Sequence, residues 1–184
     1  MTVCVLAGLL AAGCDSGSAD KPPAPDLRPV ADGEPYLCDL VPEGAFRIVT
    51  GLDIALNVRW AGPQKDDGLC LAHAKSRSSP LGIHWSYNDG DKTVGFQYNQ
   101  WTEDVRHPLP ADLGKGLAIP TASDSALRPN YVIGVFSCGK KRPWISIDFA
   151  PVVRGRDAVR DMVDFMRIAE RRFGEIHKCT PRPS

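Results

Sequence analysis

The chain's natural general bases and metal ligands are four histidines, His73, His84, His107 and His177, and no two are three or four residues apart. A helical metal pair or a zinc knuckle needs that short spacing. The one meeting the sequence allows is His73 with His84 on neighbouring strands, where half-exposed polar residues are the plainer reading. No Gly-x-Ser-x-Gly elbow offers a strained serine nucleophile, and no glycine-rich loop offers to cradle a phosphate. Polar groups do gather at Glu103, Asp104, Arg106 and His107, just after Trp101, in a stretch broken by prolines and glycines. Long loops of this sort often carry function, so Trp101, Glu103, Arg106 and His107 form the candidate binding group, with a solvated loop as the alternative. Trp60, Trp85 and Trp144 could line a pocket, but their strand spacing favours the core. The expectation is a domain with no catalytic residues, no metal and no cofactor.

The cysteines say more. Val3 to Gly13 is an unbroken run of apolar and small residues ending at Cys14, too short for the roughly 20 residues of a spanning helix and suited to a signal-peptide core. Leu10-Ala11-Ala12-Gly13-Cys14 resembles the lipobox of bacterial lipoproteins, with Ala11 where leucine is usual. The resemblance implies that residues 1–13 are removed and that the Cys14 thiol carries diacylglycerol, which with further acylation is enough for stable anchoring. Residues 14–35, rich in Pro, Ser, Gly and Asp, then read as a disordered tether. Apart from Cys4 in the leader, the cysteines left are Cys38, Cys70, Cys138 and Cys179, an even set in an exported domain. Four cysteines permit three pairings. The favoured one joins Cys38 to Cys70 and Cys138 to Cys179, each bridge closing a loop of some tens of residues.

Lys plus Arg and Asp plus Glu both total 22, a balance that argues against a nucleic-acid partner. Lys140-Lys141-Arg142 is the one compact basic run, and it reads as solvated surface.

Residues 36–184 must hold whatever site exists, and they suffice for one domain. Pro42 and Glu43 suit the start of a short helix that Gly51 ends. Ile54, Leu56, Val58 and Trp60 alternate as one face of a strand, and Leu69 to Lys75 makes the next. Ile83 to Tyr87, the turn Asn88-Asp89-Gly90-Asp91, and Val94, Phe96 and Tyr98 read as a hairpin. Residues 99–130 read as a long loop. Tyr131 to Cys138 and Ile145 to Phe149 predict a second, central hairpin. Gly155 to Phe173 predicts the long helix, with Val159, Met162, Met166, Ala169 and Phe173 as its buried stripe and Gly174 as its stop. The fold class expected is α+β: an antiparallel sheet of about five to six strands, a short N-terminal and a long C-terminal helix packed on it, and two disulfides.

The Cys38-Asp39-Leu40 motif, the helix ending in Thr-Gly and the order of the cysteines resemble the actinobacterial lipoproteins built on a domain of unknown function, family 3558, over most of residues 36–179. That resemblance implies an antiparallel sheet flanked by helices, similar to Mog1/PsbP-like folds, and brings no catalytic residues with it. The function expected is that of a membrane-anchored extracytoplasmic lipoprotein on the outer face of the cell membrane. It would be a non-enzymatic module that binds or senses a small molecule, lipid or envelope protein. The alternative is an interaction subunit or chaperone of an envelope complex, and after it a wall-acting hydrolase.

Overall fold

The computed structural model describes residues 26–62, 64–75, 78–120 and 127–184. Residues 1–13, Cys14 and the first part of the tether lie outside them. Tyr36–Leu37 (β1) and Val41–Pro42 (β2) form a small ribbon that leads into helix Glu43–Thr50 (α1). Pro42 stands just before α1, and Gly51, at φ 67°, ends it in the left-handed conformation that glycine adopts without steric cost. Strands Leu56–Ala61 (β3), Asp67–Ala74 (β4) and Leu81–Ser86 (β5) follow, then helix Gly90–Gln100 (α2). Strands His107–Pro108 (β6), Lys115–Pro120 (β7), Asn130–Cys138 (β8) and Trp144–Phe149 (β9) precede the long helix Ala158–His177 (α3) and the short strand Pro181–Pro183 (β10). The main sheet is antiparallel throughout, in the order β3-β4-β5-β9-β8-β7-β6. β10 pairs with the far end of β8, Pro181 opposite Cys138.

The class, the two flanking helices and the central β8–β9 hairpin are as the sequence predicts. One face of the sheet, with Leu81, Ile83, Ile145, Ile147 and Phe149, packs against α1 and α3. The predicted stripe of α3 lies there, with Met162, Met166, Ala169 and Phe173 buried and Val159 packed at its margin. Asp157 caps α3, its side chain accepting from the Arg160 N–H at 3.1 Å. Both disulfides, Cys38–Cys70 and Cys138–Cys179, are closed in the favoured pairing, with Cα atoms 5.8 and 5.4 Å apart. Two bridges suggest an extracytoplasmic, oxidising compartment. No helix among the described residues is long and apolar enough to cross a membrane.

Four expectations need correction. Val94, Phe96 and Tyr98 are not the second arm of a hairpin. They lie on α2, because the chain leaves Asp89 in a left-handed turn (φ 57°) and winds into a helix. Val94 and Tyr98, four apart, pack on the sheet's second face, while Phe96 stays 62% exposed; a short alternating run satisfies both periods. Residues 99–130 are not all loop. They hold two short 3-10 turns and the strands β6 and β7, and β7 is buried from Gly116 to Ile119. Glycine and proline at 114, 116 and 120 hid that strand, which raises the sheet to seven strands plus β10. Gly174 does not stop α3. The helix runs on to His177 and Lys178 caps it in the left-handed region, while a side chain at Gly174 would come within 2.5 Å of the Pro181 ring. Finally, β3 is an edge strand. Leu56 and Trp60 reach the core, but Val58 is 42% exposed and Ile54 precedes the strand.

The described end of the tether, residues 26–35, lies along α3. Arg156 and Asp161, each only 3% exposed, form a buried ion pair. The Arg156 guanidinium donates as well to the carbonyls of Asp26 and Arg28. Further along, Arg171 pairs with Asp32, the Tyr36 hydroxyl donates to Asp32 at 2.8 Å, and Val30 packs on the core. A guanidinium presents five donors, and Arg156 divides its own between Asp161 and the two tether carbonyls.

Two stability tests follow from this packing. The Cys138–Cys179 bridge spans 41 residues, so replacing both cysteines by alanine should lower the unfolding free energy by about 3 to 4 kcal/mol in denaturant titrations. Glu170, buried at 5% exposure on α3, has its carboxyl pushed up from an ordinary 4.5 to about 8, by burial first and by Asp112 second, against Arg167. Between those pH values the folded protein holds a proton that the unfolded chain releases, so stability falls as pH rises from about 4.5 through 8. Glu170→Gln should flatten that slope and raise stability above pH 8, by up to about 5 kcal/mol. An unchanged pH profile of unfolding would show that the carboxyl is not held protonated.

Candidate functional site

A concave feature with apolar walls and convergent polar groups opens where the β1–β2 turn, the β3–β4 end of the sheet and the last turn of α3 meet. In the β1–β2 turn Cys38 and Asp39 both take left-handed backbone conformations, at φ 50° and 60°. Such conformations are uncommon outside glycine and persist where the surroundings hold them. Here the Cys38–Cys70 bridge ties the turn to β4. Trp60 stands opposite Cys70 on β3, and Trp85 stands opposite Gly68 on β5. Gly68 is required by that approach, since a Cβ there would lie 2.5 Å from Trp85 Nε1 and 2.9 Å from the Trp60 ring. From α3 come Phe173, Ile176 and His177. The cleft between them holds about 100 Å³ and has Cys38, Leu40 and the two indoles in its walls, with Asp39, Gln64 and His177 as its polar groups.

His177 is fixed by its rings. It stacks on Phe173 at 4.0 Å and meets Trp85 edge-on at 4.8 Å. Burial lowers its pKa, and the Lys141 ammonium, which lies 3.8 Å over the Tyr87 ring, lowers it further. Near neutral pH the imidazole is therefore uncharged, offering one donor and one acceptor. A carboxylate, an amide and a neutral imidazole around an aromatic floor can orient a small molecule that has an apolar face and hydroxyl or amide groups.

The second face of the sheet brings together the residue types of a hydrolase without joining them. His84 stands opposite Ser146, and Asp148 lies two residues further along β9, opposite Gly82. Yet the Asp148 carboxylate pairs with Arg128 at 2.5 Å, the Ser146 side chain hydrogen-bonds Tyr131, and His84 rests edge-on against Trp144 at 4.6 Å. Among the described residues no hydrogen bond joins His84, Ser146 and Asp148 to one another. His73 bonds Ser79 through Nδ1 at 2.7 Å and sits well along the strand from the residue opposite His84. No group of three possible metal ligands occurs among the described residues.

The group proposed from sequence lies elsewhere, around the end of α2. Trp101 is half-buried on the second apolar cluster, its Nε1 donating to Gln97 Oε1 at 3.1 Å. Arg106 donates to the Tyr98 carbonyl at 2.6 Å and lies over the Tyr98 ring. Glu103 is exposed in a 3-10 turn and His107 half-exposed on β6. Arg106 thus engages Tyr98 and Trp101 engages Gln97 on the same helix, while none of the four lines the aromatic cleft. Of the cleft residues, Trp60 and Trp85 carry a legible signal as aromatics on strands, and Cys38-Asp39-Leu40 as a motif. Gln64, Ile176 and His177 carry none, since only the extra turn of α3 brings the last two into place. No protein-family model matches the chain, and no curated protein or solved structure is significantly similar to it.

Gly68→Ala tests whether the two indoles depend on that bare backbone. The added methyl should cost about 1 to 3 kcal/mol of stability and shift the tryptophan emission of the folded protein. Retention of both would show that the rings move aside freely.

Proposed function

We propose that this chain is an exported binding module, held to the outer face of the cell membrane by lipid on Cys14, that captures a small amphiphilic ligand in the aromatic cleft. The cleft itself carries the reading, because a concave aromatic floor ringed by a few polar groups is the usual form of a small-molecule site. The address is supported by the leader ending in Cys14, by the two disulfides, and by the likeness of Cys38-Asp39-Leu40 and the cysteine order to actinobacterial lipoproteins. The cleft's size suits one ring or one acetamido-sized group rather than an acyl chain. A sugar of the cell wall is the ligand class that best matches aromatic stacking with Asp39, Gln64 and His177 as hydrogen-bonding partners. A second reading, docking to a protein of the envelope through α2, is favoured by Phe96, which stands 62% exposed on that helix.

Two measurements test the proposal. Titration of the purified protein with N-acetylglucosamine and with soluble wall fragments should quench tryptophan emission, and Trp60→Ala and His177→Ala should each weaken binding about tenfold or more. Saturable binding that neither substitution alters would move the site away from the cleft. Separately, Cys14→Ser should release the protein from membranes into the soluble fraction, and retention of the variant on membranes would remove the lipid anchor from the reading.

A further inference from the structure

We infer that a second cavity, between β10, the turn after β8 and the last residues of α3, binds a small phosphate ester. The cavity holds about 370 Å³ and is lined by Ser137, Gly139, Lys178, Cys179, Thr180 and Arg182. Its side-chain hydrogen-bonding groups are two cations and two hydroxyls, and its lining contains no carboxylate. None of the four has a side-chain hydrogen bond or ion pair among the described residues. Two neighbouring cations are engaged: Lys141 with Asp66 and the Tyr87 ring, Arg142 with Asp91 at 2.7 Å. In a chain whose formal charges balance at zero, Lys178 and Arg182 share one concavity whose lining holds no acid to offset them. Lys140, exposed and without an ion-pair partner among the described residues, adds to the field.

The fold fixes the backbone that carries these donors, while the Lys178, Thr180 and Arg182 side chains are exposed. Arg182 stands opposite Ser137 in the β10–β8 pairing, so their side chains share one face. The Cys138–Cys179 bridge holds the segment between α3 and β10 against β8. Lys178, the left-handed cap of α3, also complements the negative end of the helix dipole. That role accounts for one cation, but not for Arg182, Ser137 and Thr180 beside it. Guanidinium, ammonium and hydroxyl donors together match the several acceptor oxygens of a phosphate, and the volume leaves room for a glycerol- or sugar-sized substituent. The site is separate from the aromatic cleft and does not depend on it.

Calorimetric titration of the purified protein with glycerol 3-phosphate at low ionic strength should show saturable binding that glycerol does not reproduce. Lys178→Gln and Arg182→Gln should each weaken it about tenfold or more, whereas Arg142→Gln, outside the cavity, and Trp60→Ala, in the cleft, leave it unchanged. Near-ultraviolet circular dichroism and intact disulfides establish that each variant is folded, and Thr180→Val provides a variant that keeps the charge. Vesicles of phosphatidylglycerol, compared with phosphatidylcholine, form a second arm. Cavity-dependent binding to these alone assigns the phosphate to a lipid headgroup, and binding to glycerol 3-phosphate assigns it to a soluble ester. Absence of binding in both arms overturns the inference, as does an Arg142→Gln variant that loses as much affinity as Lys178→Gln.

Discussion

The position of α3 governs the rest of the molecule. Its apolar stripe covers the central strands, and it is fastened at both ends by different chemistry. At the amino-terminal end the Arg156–Asp161 pair is almost completely withdrawn from water. Burying two charges costs several kcal/mol per ion and is tolerable only when the remaining donors find partners. The carbonyls of Asp26 and Arg28 supply them, which joins the proline-rich tether to the start of the helix. At the other end the covalent bond from Cys179 to Cys138 holds the chain to β8 while β10 pairs alongside. Phe173 sits between these fastenings and meets Trp85, Tyr87, Phe136 and His177 edge-on or stacked. The cleft exists because that cluster leaves Trp60 and Ile176 incompletely covered.

The two faces of the sheet are treated differently. One is sealed by α1 and α3. The other is sealed only over β7, β8 and part of β9, where α2 sets Val94 against Leu117, Ile133, Val135 and Trp144. Beyond that margin the same face turns polar, with His84, Asp148 and the Arg128 pair. Burial raises the Asp148 pKa while Arg128 opposes the rise, and it lowers that of His84. These opposed shifts resemble those of catalytic groups, yet here burial is the leading cause of both, so perturbation of a titration is not by itself a sign of chemistry.

The sequence disclosed what depends on local period and composition. The helix at Glu43, the β8–β9 hairpin, the stripe of α3 and the order of the cysteines were all legible, because amphipathic spacing and even cysteine count express themselves within a few residues. What it concealed depends on tertiary context. Val94 and Tyr98 are compatible with a strand or a helix until the sheet face they cover is known. β7 carries glycine and proline where strands usually do not, since at Gly116 a side chain would collide with the Ile133 carbonyl of its neighbour. The cleft draws on residues from 38 to 177, and nothing local announces such a meeting. The cavity beside Cys179 was hidden for the same reason: Ser137 and Arg182 become neighbours only when β10 returns to β8.

The described end of the tether first touches the domain at Arg156, just ahead of α3, whereas the cleft and the cationic cavity open around the last turn of that helix. At 20 residues the helix is a strut about 30 Å long. A load applied through the tether therefore enters at one extremity and the recognition surfaces project from the other. Whatever holds the tether becomes the base of a mast, with both openings at the masthead.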